Sequence, residues 1–477
     1  MQNDNIYAAI DNAKVGKFQR RLAVTAALGP FTDAFNEFGA SISLIAVGIL
    51  FHLPPVLVAV ATAAYWVGVA GGAIFGGIAS DAIGRKQIFL YDTIGMAVFA
   101  VLSAISTGYI TYFLTRLALG IFIGMDYAAA VPLLSEYSPS HRRGGLLSTE
   151  KLFFMFGTIA TVVIGMGFTY YVGVLLAWRY DFLIAAVPAI ILFGLRFEMP
   201  ASLRWAKASG RKDLIPKILK KLHKEGIDID PETIIVDKPQ TIRENMHEFF
   251  NSKNRKTVAY IFWIGAAYAL TVNLVSVYAT TVLTGLGASS FFAEEGALII
   301  DIIGTFGVVL TLIVVDRIGR RLMGLFGFVL GAIPLAVLIF ADVYHAMTIP
   351  LVISMFGLFF FINVGLVGTL QYLPAAEVST TKSRGLAVGW EKLFEFGLAL
   401  PALTLYAYIG LFYSFIYDTI MVVIGGIVLY LLSFETKDKT LEINAMHGTK
   451  KPGSGSEKQS PGSAQGGTEE SQPVPHL

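Results

Sequence analysis

The sequence contains no cysteine, so disulfides and thiolate metal sites are excluded. Charge is also scarce: 15% of its 477 residues are Asp, Glu, Lys or Arg, while 55% are hydrophobic. A soluble chain of this length carries more charge, so composition places it in the membrane class. The net charge of +2 by itself names no partner, and no nucleic acid is expected. A nucleotide-binding loop, a metal-ligand cluster and a nucleophile–base pair that could be placed together are all missing. The reading is therefore not an enzyme, with no cofactor and no metal. The start "MQNDNIYAAIDNAKVGKFQRR" is polar and mixed in charge, unlike a cleaved signal peptide, so insertion is expected to rely on the first spanning helix.

What is present is a series of apolar runs. Crossing ~30 Å of hydrocarbon takes about 20 residues. Twelve such runs are read at roughly 22–51, 56–80, 87–107, 109–135, 146–175, 178–196, 257–283, 290–315, 322–342, 348–372, 386–409 and 411–433. Lys and Arg cluster in 1–21, 82–87, 138–145, 197–256, 316–321 and 382–385, and the alternate connections hold Arg179 and little else. The positive-inside rule then puts both termini in the cytoplasm. The expected organisation is a cytoplasmic N-terminus (1–21), a six-helix bundle (22–196), a cytoplasmic linker with a surface helix at "LIPKILKKLHKEG" (197–256), a second six-helix bundle (257–433) and a cytoplasmic, mostly disordered Gly/Ser/Pro-rich tail (434–477).

The two bundles repeat. The pattern E-x6-R-G-x5-E-K-L-F occurs at Glu136, Arg143, Gly144, Glu150 and Lys151, and again at Glu377, Arg384, Gly385, Glu391 and Lys392. Glu136 and Glu377 are 241 residues apart, as are Glu150 and Glu391. "GIASDAIGRK" (77–86) is likewise echoed by "VDRIGRR" (315–321). Repeated six-helix halves with a site between them are a secondary-transporter architecture. The fold class expected is an all-α membrane protein of twelve transmembrane helices in pseudo-symmetric 6+6 bundles.

These motifs resemble those of the major facilitator superfamily. The loop Gly77-x3-Asp81-x2-Gly84-Arg85-Lys86 carries the likeness, together with Arg116-x3-Gly120-x3-Gly124, Pro132-x3-Glu136, "PASLRWAKASGR" after helix six and "FETKDKTLE" after helix twelve. The set is similar to the sugar and general-substrate transporter branch and covers about residues 20–443. The resemblance implies a gating network of Asp81, Arg85, Glu136 and Arg143, with Asp316, Arg320, Glu377 and Arg384 in the second half. Its ion pairs would hold the outward-facing state. The plainer role of these charges is to set topology.

Sugar carriers of the branch have a Gln-Gln and Ser-Gly-Ile-Asn run in helix seven, of which this sequence keeps only Asn273 as a partial echo. Tyr372 stands where their helix-ten Trp belongs, and their sugar-binding helix-five Gln falls on Lys151. Meanwhile "GMDY" (124–127) resembles the G-x-D-Y of phosphate and organic-anion symporters.

An ionised side chain at the bilayer centre costs about 2.5–3.5 kcal/mol, so such residues usually face a cavity or a partner. Asp33 and Glu37 share one face of helix one at i, i+4 spacing. The resemblance implies that Asp33 pairs with Arg116 as a proton switch and that Asp126 lies on the proton path beside a substrate-binding Tyr127. A permanent structural pair, as in a uniporter, is the alternative. Adjacent residues on a helix point about 100° apart, so the members of each Glu-Lys dipeptide face different ways. The resemblance implies that Lys151, at the sugar carriers' helix-five Gln position, lines the central cavity and, by pseudo-symmetry, Lys392 does too; the two are expected to attract a small anion, with Glu150, Glu391 and Glu395 neutralising them across helices when it is empty. The competing role is a gate salt bridge. Trp390 and Tyr372 are expected near the substrate, and Asp301 receives no role.

The function expected is proton-coupled symport of a small polar metabolite, an organic anion or phosphate being favoured, by a plasma-membrane monomer embedded in lipid. The alternatives are a sugar symporter or uniporter and, from another class, a transport-dead nutrient sensor.

Overall fold

In the computed structural model, which describes residues 6–447, the chain is helical and no strand occurs among the described residues. The first bundle consists of α1 (Lys17–Leu50), α2 (Pro55–Ile83), α3 (Arg85–Ala104), α4 (Tyr109–Tyr137), α5 (Arg143–Val172) and α6 (Val174–Phe197). The second consists of α7 (Arg255–Gly285), α8 (Ser290–Ile318), α9 (Arg320–Val343), α10 (Ile349–Val378), α11 (Arg384–Ile409) and α12 (Leu411–Leu432). Ten are long and apolar enough to cross a bilayer by composition alone. The other two, α1 and α11, carry Asp33 and Glu37, and Glu391, Lys392 and Glu395. Lipid-facing positions such as Phe75, Ile190, Phe306 and Phe340 are each more than half exposed and apolar.

The internal repeat extends to the backbone. The chain turns from α2 into α3 at Gly84 (φ 112°) and from α8 into α9 at Gly319 (φ 90°), a region open to glycine and strained for other residues. α10 is irregular: it widens into a π-turn at Asn363–Val367 and its helical hydrogen bonding lapses over 371–373 before Pro374, which has no N–H to donate.

Small residues let helices approach closely. A Cβ on Gly72 of α2 would stand 2.1 Å from Ile121 O of α4, and one on Gly389 of α11 would stand 2.3 Å from Ala73 O of α2. The first contact lies within the N-terminal bundle. The second joins the two halves. The halves also meet through α5 against α8 and α4 against α11.

The linker folds into short helices, including the expected one at Ile215–Lys224, which buries Ile215, Ile218 and Leu222 and leaves its lysines outward. Two terminal segments are more ordered than expected. Ile6, Tyr7 and Ile10 are buried, and after α12 a helix at Leu441–His447 docks with Leu441 and Asn444 fully buried. The disorder expected of the tail from Lys450 onward falls outside the described residues.

Candidate transport site and gate

At the end bearing the basic loops, the halves are latched reciprocally. Asp81, at the end of α2, accepts the backbone N–H groups of Gly385 (3.1 Å) and Leu386 (2.9 Å) at the start of α11. Asp316, at the end of α8, accepts those of Gly144 and Gly145 at the start of α5, both at 2.9 Å. Each carboxylate thus fills the positive end of a helix belonging to the other half. Arg85 holds Asp81 and Glu136, both at 3.3 Å, and donates to Thr381 O across the interface at 2.6 Å. Arg320 holds Asp316 (3.2 Å) and Glu377 (2.7 Å).

The sequence expectation for the remaining pairs needs correction. Glu136 pairs not with Arg143 of its own half but with Arg384 of the other, at 2.5 Å. Nor does Glu377 take Arg384 of its own half; besides Arg320 it accepts from Thr436, beyond α12, at 2.5 Å. Arg143 turns instead to Asp11 (3.1 Å), which also binds Arg204 (2.8 Å). Arg204 in turn reaches Glu442 of the C-terminal helix at 3.0 Å. Sequence spacing could not place Asp11, because it lies outside the repeat. Burial raises the Glu442 carboxyl, but the Arg204 guanidinium outweighs it and holds Glu442 below the usual glutamate range.

Deeper between the halves lie the two lysines. Lys151 Nζ reaches across to the Tyr268 hydroxyl of α7 at 3.1 Å and lies 4.3 Å above the Phe154 ring. Gly368 of α10 leaves room for that stem: a Cβ there would stand 3.2 Å from Lys151 Cε and 3.0 Å from Tyr268. No carboxylate lies within ion-pair distance of Lys151 among the described residues. Lys392 Nζ lies over the rings of Tyr372 (4.5 Å) and Tyr127 (4.9 Å), the latter from the opposite half. Phe396 closes the group, 6.2 Å from Tyr127. Lys392 binds Glu395 and, at 3.4 Å, Glu391. The structure thus brings together Lys151, Lys392, Tyr127 and Tyr372. The neutralising carboxylates, however, come from the lysine's own helix rather than from across the cavity, and Glu150 pairs with neither lysine.

Asp33 does not pair with Arg116. It accepts the Tyr65 hydroxyl at 2.5 Å and the Tyr127 hydroxyl. Arg116 donates to Asn36 O at 3.0 Å and lies over the other face of the link, 4.3 Å from the Tyr65 ring centroid. Tyr65 therefore stands between acid and base, using its hydroxyl for one and its π-face for the other. Glu37 is half-buried with no ion-pair partner among the described residues.

Asp126 does not contact Asp33; it binds Arg196 of α6 at 2.6 Å. Trp390 is not at the lysines: its ring packs on Phe250 of the linker (4.9 Å) and on Phe394 (4.8 Å). Asn273 donates back to Ala269 O of its own helix at 2.5 Å. Tyr65, Tyr268, Asp92 and Arg196 were missed by sequence reasoning. Only the presence of Asp92 and Arg196 in spanning runs signalled buried partners.

Comparison with known proteins matches this architecture. The family model described as "Sugar (and other) transporter" matches residues 19–447. The arabinose-proton symporter of Bacillus subtilis (strain 168) is 25% identical over 419 residues, covering 82% of this chain and 87% of the relative. The niacin transporter NiaP of Acinetobacter baylyi is 23% identical over 449 residues, covering 92% and 99%. Among solved structures, the proton:xylose symporter XylE bound to 6-bromo-6-deoxy-D-glucose superposes with a TM-score of 0.77 at 20% identity, over 90% of this chain and 99% of that one. The chain belongs to the sugar (and other) transporter family, and is a membrane transporter rather than an enzyme.

Proposed function

We propose that the protein is a proton-coupled symporter of small organic anions, binding the substrate's carboxylate at Lys151. The observation that carries this reading is a buried ammonium with no carboxylate partner among the described residues, held between the halves by one tyrosine hydroxyl and two aromatic rings. An uncompensated buried charge is costly, and an incoming anion relieves that cost. Lys392, already held by Glu395 and Glu391, closes the opposite wall with Tyr127 and Tyr372.

Charge balance supports the coupling. Asp33, Glu37, Glu391 and Glu395 supply four carboxyls against the two ammonium groups, so a further anion is accommodated when protons enter with it. Asp33 is placed to report occupancy: Tyr127 donates to it while the ring of that same tyrosine faces Lys392. In this reading the basic end is cytoplasmic, both termini lie there, and the latched gate holds a state closed to the cytoplasm in the plasma membrane. The working units are the two bundles at 22–196 and 257–433, linked by 197–256.

The relative named as a niacin transporter handles a ring carboxylate, in keeping with the lysine-and-aromatic lining. The two relatives named as arabinose and xylose symporters favour a neutral sugar instead. Uptake into proteoliposomes, with and without an inward proton gradient, separates the readings for a panel of aromatic and aliphatic carboxylates, phosphate, pentoses and hexoses. Gradient-driven carboxylate uptake that Lys151→Gln lowers at least tenfold is the expected result. Uptake of sugars alone, unchanged by that substitution, would refute the anion site.

A further inference from the structure

The N-terminal bundle encloses a second ionic cluster under Gly29 of α1, one helical turn before Asp33. Arg196 Nη1 lies 2.8 Å from Asp92 Oδ1 of α3 and 2.6 Å from Asp126 Oδ1 of α4, and donates to Phe89 O at 3.1 Å. Its guanidinium carbon lies 3.6 Å from the centroid of the Phe89 ring. α1 covers the cluster with Gly29, where a Cβ would stand 1.7 Å from Asp126 Oδ2 and 3.0 Å from Arg196 Nη2. α5 contributes Glu150, which is fully buried and has no hydrogen-bond partner on either oxygen. The charged groups whose fields reach it are Asp126, Arg196 and, from α11, Lys392, which is already bound to Glu391 and Glu395; none forms an ion pair with it among the described residues.

Arg196 binds two of these carboxyls, Asp92 and Asp126, while Glu150 has no cation within ion-pair distance among the described residues, in an interior without solvent exposure. One negative charge is compensated by Arg196 and the other two are not. A carboxylate stripped of water, with neither a donor nor a cation of its own, is far less stable than the neutral acid. A proton is the only ligand that fits: Gly29 fills the space over the aspartates, and no larger group could be admitted without moving α1.

We propose that Asp92, Asp126, Arg196 and Glu150 form a second proton-binding site, with Glu150 as the acid that loads and releases its proton during the transport cycle. This rests on the proton-coupled reading above. Glu150 is the exchanging member because it precedes Lys151 on α5, so a shift of that lysine on binding an anion moves the glutamate too. The two aspartates stay clamped on Arg196, and the site works beside Asp33, one peptide bond from Tyr127.

Infrared spectroscopy on the purified full-length chain at neutral pH tests the bound proton without any substrate. Glu150→Gln should remove the intensity of one protonated carboxyl from the C=O band, and Glu150→Asp should shift that component in frequency. An unchanged band in both variants means an ionised Glu150 and overturns the proposal. Should one variant fail to fold, the other decides. Coupling is then read as protons taken up per substrate, using a pH dye in proteoliposomes and the driven substrate from the panel above. Glu150→Gln should move one proton fewer per turnover than the wild type, and an unchanged ratio overturns the proposal. If no substrate is driven by a proton gradient in the wild type, the symport reading fails, and with it the coupling role, whereas the band still decides whether Glu150 holds a proton.

Discussion

The reciprocal latch makes a quantitative prediction. Asp316→Asn keeps the shape of the side chain but removes its charge, and one amide oxygen replaces two carboxylate oxygens in front of the Gly144 and Gly145 N–H groups, now bonded at 2.9 Å each. A charge-assisted hydrogen bond is worth about 1.5–3 kcal/mol. Losing one, with the favourable charge at the start of α5, weakens the closed state by about 2–3 kcal/mol. At 1.4 kcal/mol per decade, the open fraction rises roughly 30- to 150-fold. Arg320 keeps Glu377, so the rest of the network stays in place.

The absence of cysteine supplies a clean assay. Ser80 is fully buried on the other seam, where a Cβ on Gly385 would stand 2.2 Å from its Oγ. Ser80→Cys should react with a maleimide only when the halves part, so its labelling rate in detergent tracks the open fraction. Asp316→Asn should accelerate that labelling by the factor above, although it acts on the opposite seam. An increase below about threefold, the level expected of a screened surface pair, would refute the idea that the two latches open as a unit.

Gly368→Ala should press on Lys151 and Tyr268, a strain of about 1–3 kcal/mol, raising the KM for the driven substrate about tenfold while the fold persists by circular dichroism. Asp11→Asn deprives Arg143 and Arg204 of their shared acid; breaking a buried pair costs about 3–5 kcal/mol, and it should speed Ser80→Cys labelling as Asp316→Asn does. Glu442, held below the usual glutamate range by Arg204, contributes docking energy above that range and loses it as pH falls through its lowered value. A fluorophore on Ile443→Cys should therefore report release of the C-terminal helix only on acidification, and release on raising the pH would contradict the sign. Lys151→Gln should abolish anion uptake without disturbing the latch, as measured by the same labelling.

Much of the architecture was legible because it is periodic. The spanning runs, the 241-residue repeat and the charged loops all follow from spacing, and they located Asp81, Asp316 and both lysines. Partners were far less legible. The acids that hold Lys392 sit on its own helix, and Lys151 meets Tyr268, which is separated from it by 117 residues and lies in the other half. Arg116 and Asp33 are both where a pair was expected. Yet Tyr65 occupies the space between them, and a tyrosine in a spanning run carries no sign of that role. Trp390 shows the limit of pseudo-symmetry: one position before Glu391, it is turned toward the linker by Phe250, which has no counterpart in the first half.

The latch also bears on how such a chain could arise. An acid of one bundle meeting a helix start of the other, returned in kind, is the self-complementary contact that a two-fold axis generates. Two identical six-helix chains could make it unaided, without any linker. A duplicated ancestor would thus have inherited a working closure. What fusion added is the part that breaks the symmetry: Asp11 at one end and Thr436 and Glu442 at the other, which let the single chain tie its own ends across a joint its forebears shared as equals.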